Sequence, residues 1–157
     1  MSFAKALLSG FVGACTVTLI HETARRFVPD APRMDILGMR AISKSLRAVG
    51  EQPPAGRRLH TAALVGDILS NSLYYSLVGV GRGKNVRLLG AGLGTAAGVG
   101  GVVLPEPLGL GGDASGRSKS TQIMTVGWYL AGGLAAALAY WSLTGQSSRK
   151  RFLSIGR

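Results

Sequence analysis

A chain of 157 residues suits a single domain, and 46% hydrophobic residues with a mean hydropathy of +0.28 is more apolar than a basic water-soluble domain usually sustains. The formal charge of +11 sits between apolar runs and lacks the aromatic-rich strands or Cys/His finger of a nucleic-acid module, so the expected partner is a lipid bilayer with anionic headgroups and not nucleic acid. One cysteine, Cys15, excludes an intrachain disulfide framework.

The first predicted span covers residues 3–23, with an uncharged stretch from Ala6 to Ile20 and Lys5 placed to snorkel at its edge. Val12-Gly13-Ala14-Cys15 resembles a lipoprotein cleavage box, but the apolar run continues past the cysteine to Ile20, which favours an uncleaved helix. The helix runs into "HETARRF" and stops before Pro29 and Pro32. "HETAR" begins like H-E-x-x-H, yet Arg25 stands where the second zinc-binding histidine belongs. Glu22 is instead expected to pair with Arg25 or Arg26 at helical spacing.

A basic segment, 33–49, follows. Met34, Leu37, Ile42, Leu46 and Val49 fall close to one helical face, with Arg33, Arg40, Lys44 and Arg47 largely off it. The pattern suits an interfacial helix in the headgroup region, or a short helix packed on a bundle. "GEQPPAGRR" breaks it and leads to the second predicted span, 61–80. That span is apolar apart from Asp67 and Asn71, about 9 Å and about 15 Å inside a hydrocarbon core about 30 Å thick. Asp67, Asn71 and Tyr74 share a face, and His21, Glu22 and His60 lie toward the same side of the membrane as Asp67. An ionisable residue at such depth is a candidate functional site; the alternative is an interhelix hydrogen-bond network that sets bundle register.

"GRGKNVR" is short enough to make the second span and the third, 86–104, antiparallel neighbours. The third is glycine-rich. Gly92, Gly94 and Ala97 fit a dinucleotide-binding fingerprint with Asp113 at ribose distance, but Gly98, Gly100, Gly101 and Pro105 cut short the helix such a site needs. The alternative is a packing stripe, Gly90, Gly94, Gly98 and Gly101, in which helix backbones approach closely. Residues 111–118 imitate a P-loop without its lysine or its strand, and 105–120 is expected to be a mobile loop. The fourth span, 121–144, lies within 29 consecutive uncharged residues from Ser120 to Ser148. It offers a complementary stripe, Gly127, Ala131, Ala135 and Ala139, with Gly132, Gly133, Ala136 and Ala137 beside it. Trp128, Tyr140 and Trp141 lie near its ends, and the basic tail 146–157 is expected at anionic headgroups.

The expected fold is all-α: an integral membrane four-helix bundle with a basic amphipathic interfacial helix between its first and second spans. Neither catalytic residues nor a cofactor or metal is expected. An intramembrane aspartyl protease requires two embedded aspartates where only Asp67 qualifies, and no Ser/His or Cys/His pair has useful spacing. The expected function is non-enzymatic, a multi-pass protein of a bacterial inner (plasma) membrane assembling through its Gly/Ala faces as a homo-oligomer or an accessory subunit with other membrane subunits. The alternative is a small transporter or channel for protons or a polar solute using Asp67 and Asn71. Ten basic residues in the first and third loops against eight elsewhere leave orientation undecided.

Overall fold

The computed structural model describes residues 3–81 and 85–155, with side chains up to residue 145, and is helical with no strand among the described residues. Its elements are α1 (Phe3–Phe27), α2 (Met34–Ala48), α3 (Gly56–Tyr75) continued by a 3-10 segment (Ser76–Val80), α4 (Asn85–Val103), the single turn α5 (Asp113–Gly116) and α6 (Lys119–Ile155). Three stretches are long and apolar enough to cross a membrane: Phe3–Phe27, Asn85–Val103 and Lys119–Gly145. The predicted second span is not among them. Its helix starts earlier, at Gly56, and gives way to 3-10 geometry after Tyr75. Arg57, Arg58, His60, Asp67 and Asn71 lower its apolarity.

Helix α6 packs between α4 and α1, α3 lies on α1, and α2 lies across α3. The close fits depend on missing side chains. A Cβ built on Gly94 would sit 2.6 Å from both the Leu130 Cα and the Tyr129 carbonyl oxygen of α6, and one on Gly13 would sit 2.7 Å from the Gly132 carbonyl oxygen. Gly90 and Gly98 meet α6 as closely, Gly90 against Gly133 and Ala137, and Gly98 against Val126. Gly101 makes only ordinary contact, with a Cβ position 3.5 Å from Thr125. On α6 the contact with α4 falls beside the predicted stripe: Gly127 has nothing within 4 Å of a Cβ position, and Ala131, Ala135 and Ala139 are half-buried. Because the glycine face holds α4 against α6, α3 and α4 touch only sparsely despite their short connection.

Three tyrosine hydroxyls bridge elements by donating to backbone carbonyls: Tyr75 to Tyr129 at 2.8 Å, Tyr74 to Leu93 at 2.9 Å and Tyr140 to Gly79 at 3.3 Å. These bonds satisfy polar groups that burial would otherwise penalise. Large apolar side chains, among them Phe11, Leu19, Leu69, Leu73, Leu88 and Leu138, are exposed, as a surface facing lipid would have them.

The two ends of the bundle differ. At one, the Lys5 ammonium donates to the Leu143 carbonyl at 2.8 Å, and the Arg87 guanidinium lies 5.0 Å from the Trp141 ring centroid. At the other, α2 and the 105–120 segment form a cap. The 105–120 segment is hydrogen-bonded to its surroundings: Ser115 donates to the Gly101 carbonyl at 2.5 Å, the Arg33 amide to Ala114 at 2.7 Å, and Lys44 to Leu108 at 2.6 Å. Arg40 also pairs with Asp113 at 2.7 Å. Helix α2 rests on α3, with Gly38 close against Ala63, while Lys44, Arg47 and Val49 face outward.

Candidate functional site

Asp67 projects from α3 toward α1. Thr18 of α1 donates to its Oδ2 at 3.2 Å, and Asn71, one turn along α3, donates through its side-chain amide to Oδ1 at 2.9 Å. Among the described residues no basic side chain forms a salt bridge with Asp67; the ion pairs are Arg25 with Glu22 and Asp35, Arg33 with Asp35, Arg40 with Asp113, and Arg117 with Asp30. The carboxyl is therefore held by neutral donors alone.

On one side of Asp67 a groove of about 560 Å³ runs between α2, α3 and α4. It exists because small residues face each other across it: Gly38 and Ala41 on α2, Ala63 and Gly66 on α3, Ala97 and Gly100 on α4. Met34, Leu37, Leu104 and Leu108 supply apolar walls, while Asp67, Ser70, Asn71 and Tyr74 make one polar wall. On the other side lies a void of about 20 Å³ bounded by Thr18, His21, Glu22, Asp35, His60 and Asp67, space for about one water-sized group.

The expected site residues thus divide. Asp67 and Asn71 are joined by a hydrogen bond, and Tyr74 lines the same groove but commits its hydroxyl to Leu93. His21 and Glu22 border the smaller void instead. The His21 ring is 5% exposed, its centroid lies 5.1 Å from that of Trp128 and 5.5 Å from that of Tyr129, and its Nε2 has no hydrogen-bond partner among the described residues. Glu22 accepts two bonds from Arg25, at 2.9 and 2.6 Å, which is the pairing expected of a helix end.

Two members escaped the sequence reading. Thr18 sits one turn before His21 on the same inward face, a periodicity that could have marked it. Asp35 comes from α2, and only the tertiary fold places it near His21. Its side chain is 7% exposed and accepts two bonds from Arg33, both at 2.9 Å. Burial alone would raise the Asp35 carboxyl, but the Arg33 hydrogen bonds and charge, the Ile36 amide and the Arg25 charge outweigh it and hold the group below its ordinary value of 3.8.

No three His, Cys, Asp or Glu residues among those described are grouped as metal ligands would be. The arrangement offers a carboxyl group between two neutral donors, open to a cavity, which equips it to exchange a proton or to receive a cationic or hydrogen-bonding group. No family model matches the chain, and no curated protein or solved structure proved similar to it.

Proposed function

We propose that the chain is a four-span membrane protein that moves a proton or a small polar solute through Asp67. The observation that carries this reading is the position of Asp67 on the divide between two cavities, bordering both the lateral groove and the small void near the charged end of the bundle. An ionisable group so placed can face either side by small movements of its neighbours. In this reading α3 is the fourth crossing. Its Asp67 and Asn71 turn inward while Val65, Leu69, Leu73 and Leu77 are exposed along one face, a lipid-facing stripe that average composition conceals. The basic tail and the outer face of α2 suit anionic headgroups such as those of a bacterial inner membrane.

Assembly as a homo-oligomer or accessory subunit is the second reading. Gly90, Gly94 and Gly98, the face that first suggested it, are occupied by α6 of the same chain. What still favours it is the outer stripe of Gly127, Ala131, Ala135 and Ala139, small residues left only partly covered. Reconstitution into liposomes decides between the two. Under the first reading the protein carries an ion or solute flux that Asp67→Asn abolishes without loss of fold. A protein inert in flux assays that purifies at fixed stoichiometry with a second membrane protein would establish the other.

A further inference from the structure

We infer that the groove between α3 and α4 binds amphiphilic organic ammonium ions, with the charged head at Asp67 and the apolar body against α2, α4 and the turn after α4. The inference rests on Asp67 being the working group and names what that group takes. Its volume of about 560 Å³ falls within the range of roughly 300–1,000 Å³ typical of small-molecule sites. Among the described residues that line it, Asp67 is the one with a formal charge, so the complementary ligand carries a positive charge. Low-dielectric walls strengthen that attraction, and no basic side chain of the described protein competes for it. The carboxylate oxygens each accept one bond already and keep lone pairs for ammonium N–H donors.

The remaining walls select for an apolar body. Met34, Leu37, Leu104, Leu108 and Leu110 line the groove, and the aromatic rings of Tyr74 and Tyr129 border it, where a cation gains from the ring quadrupole. A phospholipid headgroup fits less well. The basic groups nearest the cap, Arg40 and Lys44, are already engaged with Asp113, the Leu110 carbonyl and the Leu108 carbonyl. Gly66 and Ser70 on α3 and Ala96 on α4 are exposed, so the groove is open between those helices and a ligand dissolved in the bilayer has a side entrance.

The test uses the full-length protein in an uncharged detergent, with octylamine, protonated near neutral pH, compared with 1-octanol as a neutral molecule of equal chain length. Octylammonium is expected to raise the unfolding temperature saturably, and octanol to require about tenfold or more higher concentration for the same shift. Asp67→Asn removes the difference between the two. Gly100→Leu, where an added Cβ meets the Leu104 side chain at 3.4 Å, narrows the groove from its α4 wall and should weaken both responses. Equal responses to amine and alcohol in the unsubstituted protein, or an undiminished amine response in the folded Gly100→Leu variant, would overturn the inference. An Asp67-dependent proton flux with no saturable octylammonium response overturns it too, while leaving the proposed function standing. Asp67-dependent octylammonium binding without any flux sustains it and removes transport.

Discussion

Asn71 donates its side-chain amide to the Asp67 carboxyl across one turn of α3 at 2.9 Å, and the same carboxyl is the acceptor for Thr18 of α1. Asp67 therefore joins two helices as well as lining two cavities, and substitutions can separate the roles. Asp67→Leu removes every polar contact and is expected to lower stability by about 1 kcal/mol, the scale of interhelix hydrogen bonds in membranes. Thr18→Val should cost a similar or smaller amount, and Asp67→Asn less than Asp67→Leu because an amide retains hydrogen-bonding capacity. Unfolding in detergent measures all three. A Leu variant with unchanged stability and unchanged flux would remove Asp67 from both roles.

Gly92 and Gly94 are neighbours on α4 with opposite surroundings. A Cβ on Gly92 meets nothing within 4 Å, whereas one on Gly94 would collide with the α6 backbone at Leu130. Gly92→Leu should leave the fold intact or stabilise it slightly, since glycine is about 1 kcal/mol worse than alanine in a helix. Gly94→Leu should separate α4 from α6 and abolish a monodisperse peak in detergent. Equal tolerance of both substitutions would mean that α4 does not meet α6 through the Gly94 face.

Much of this architecture can be read from sequence, and the exceptions have physical causes. Helices α1, α4 and α6 are announced by long uncharged runs, and the Asp67–Asn71 pair by its four-residue spacing. The face of α6 that meets α4 is not. From Ala131 to Ala139 small residues occupy nearly every side of that helix, so periodicity selects the Gly127, Ala131, Ala135, Ala139 row as readily as Gly133 and Ala137, which make the contact. The groove is equally hidden, because it follows from α4 choosing α6 over its chain neighbour α3. The contacts of the 105–120 segment are hidden too, because they come from Arg33, Arg40 and Lys44, more than 60 residues away for the Arg40 and Lys44 side chains. A glycine-rich composition alone reads as mobility.

Asp35 gives the cap a pH dependence. Despite its burial, the Arg33 bonds and the neighbouring positive charge hold its carboxyl below 3.8 in the folded protein. A depressed acid contributes stability that is fully present above the unfolded value and is lost as pH falls through the folded one. Asp113, lowered first by its Arg40 hydrogen bonds, shares that window. The attachment of α2 should therefore be constant from neutrality down to the ordinary carboxylate range and loosen below it. Amide exchange across residues 34–48, corrected for intrinsic rates, should accelerate relative to α4 between about pH 5 and about pH 3. Asp35→Asn should loosen α2 already at neutral pH and flatten the profile. Protection that stays constant through that interval in the unsubstituted protein would show that the Arg33–Asp35 pair does not hold the cap.

The number of crossings can be decided by where the two ends of the bundle lie. Lys5 at the start of α1 reaches the Leu143 carbonyl near the end of the apolar part of α6, and Arg87 at the start of α4 lies over Trp141. These contacts bring the beginning of α1, the beginning of α4 and the end of the α6 span to one end of the molecule. With α1 leaving that end and α4 starting from it, the proposed four-span arrangement has α3 return the chain across the same thickness. Three crossings, by α1, α4 and α6 alone, would instead put residue 3 and residue 145 on opposite sides of the bilayer. Single cysteines in a Cys15→Ser background separate these arrangements: Phe3→Cys and Gly145→Cys at one end, both at exposed positions, and Glu51→Cys in the exposed connection between α2 and α3 at the other. A membrane-impermeant maleimide applied to sealed vesicles should label Phe3→Cys and Gly145→Cys from the same side and Glu51→Cys from the opposite one. Labelling of Phe3→Cys and Gly145→Cys from opposite sides would take α3 out of the membrane, and with it the depth at which Asp67 becomes an exceptional residue.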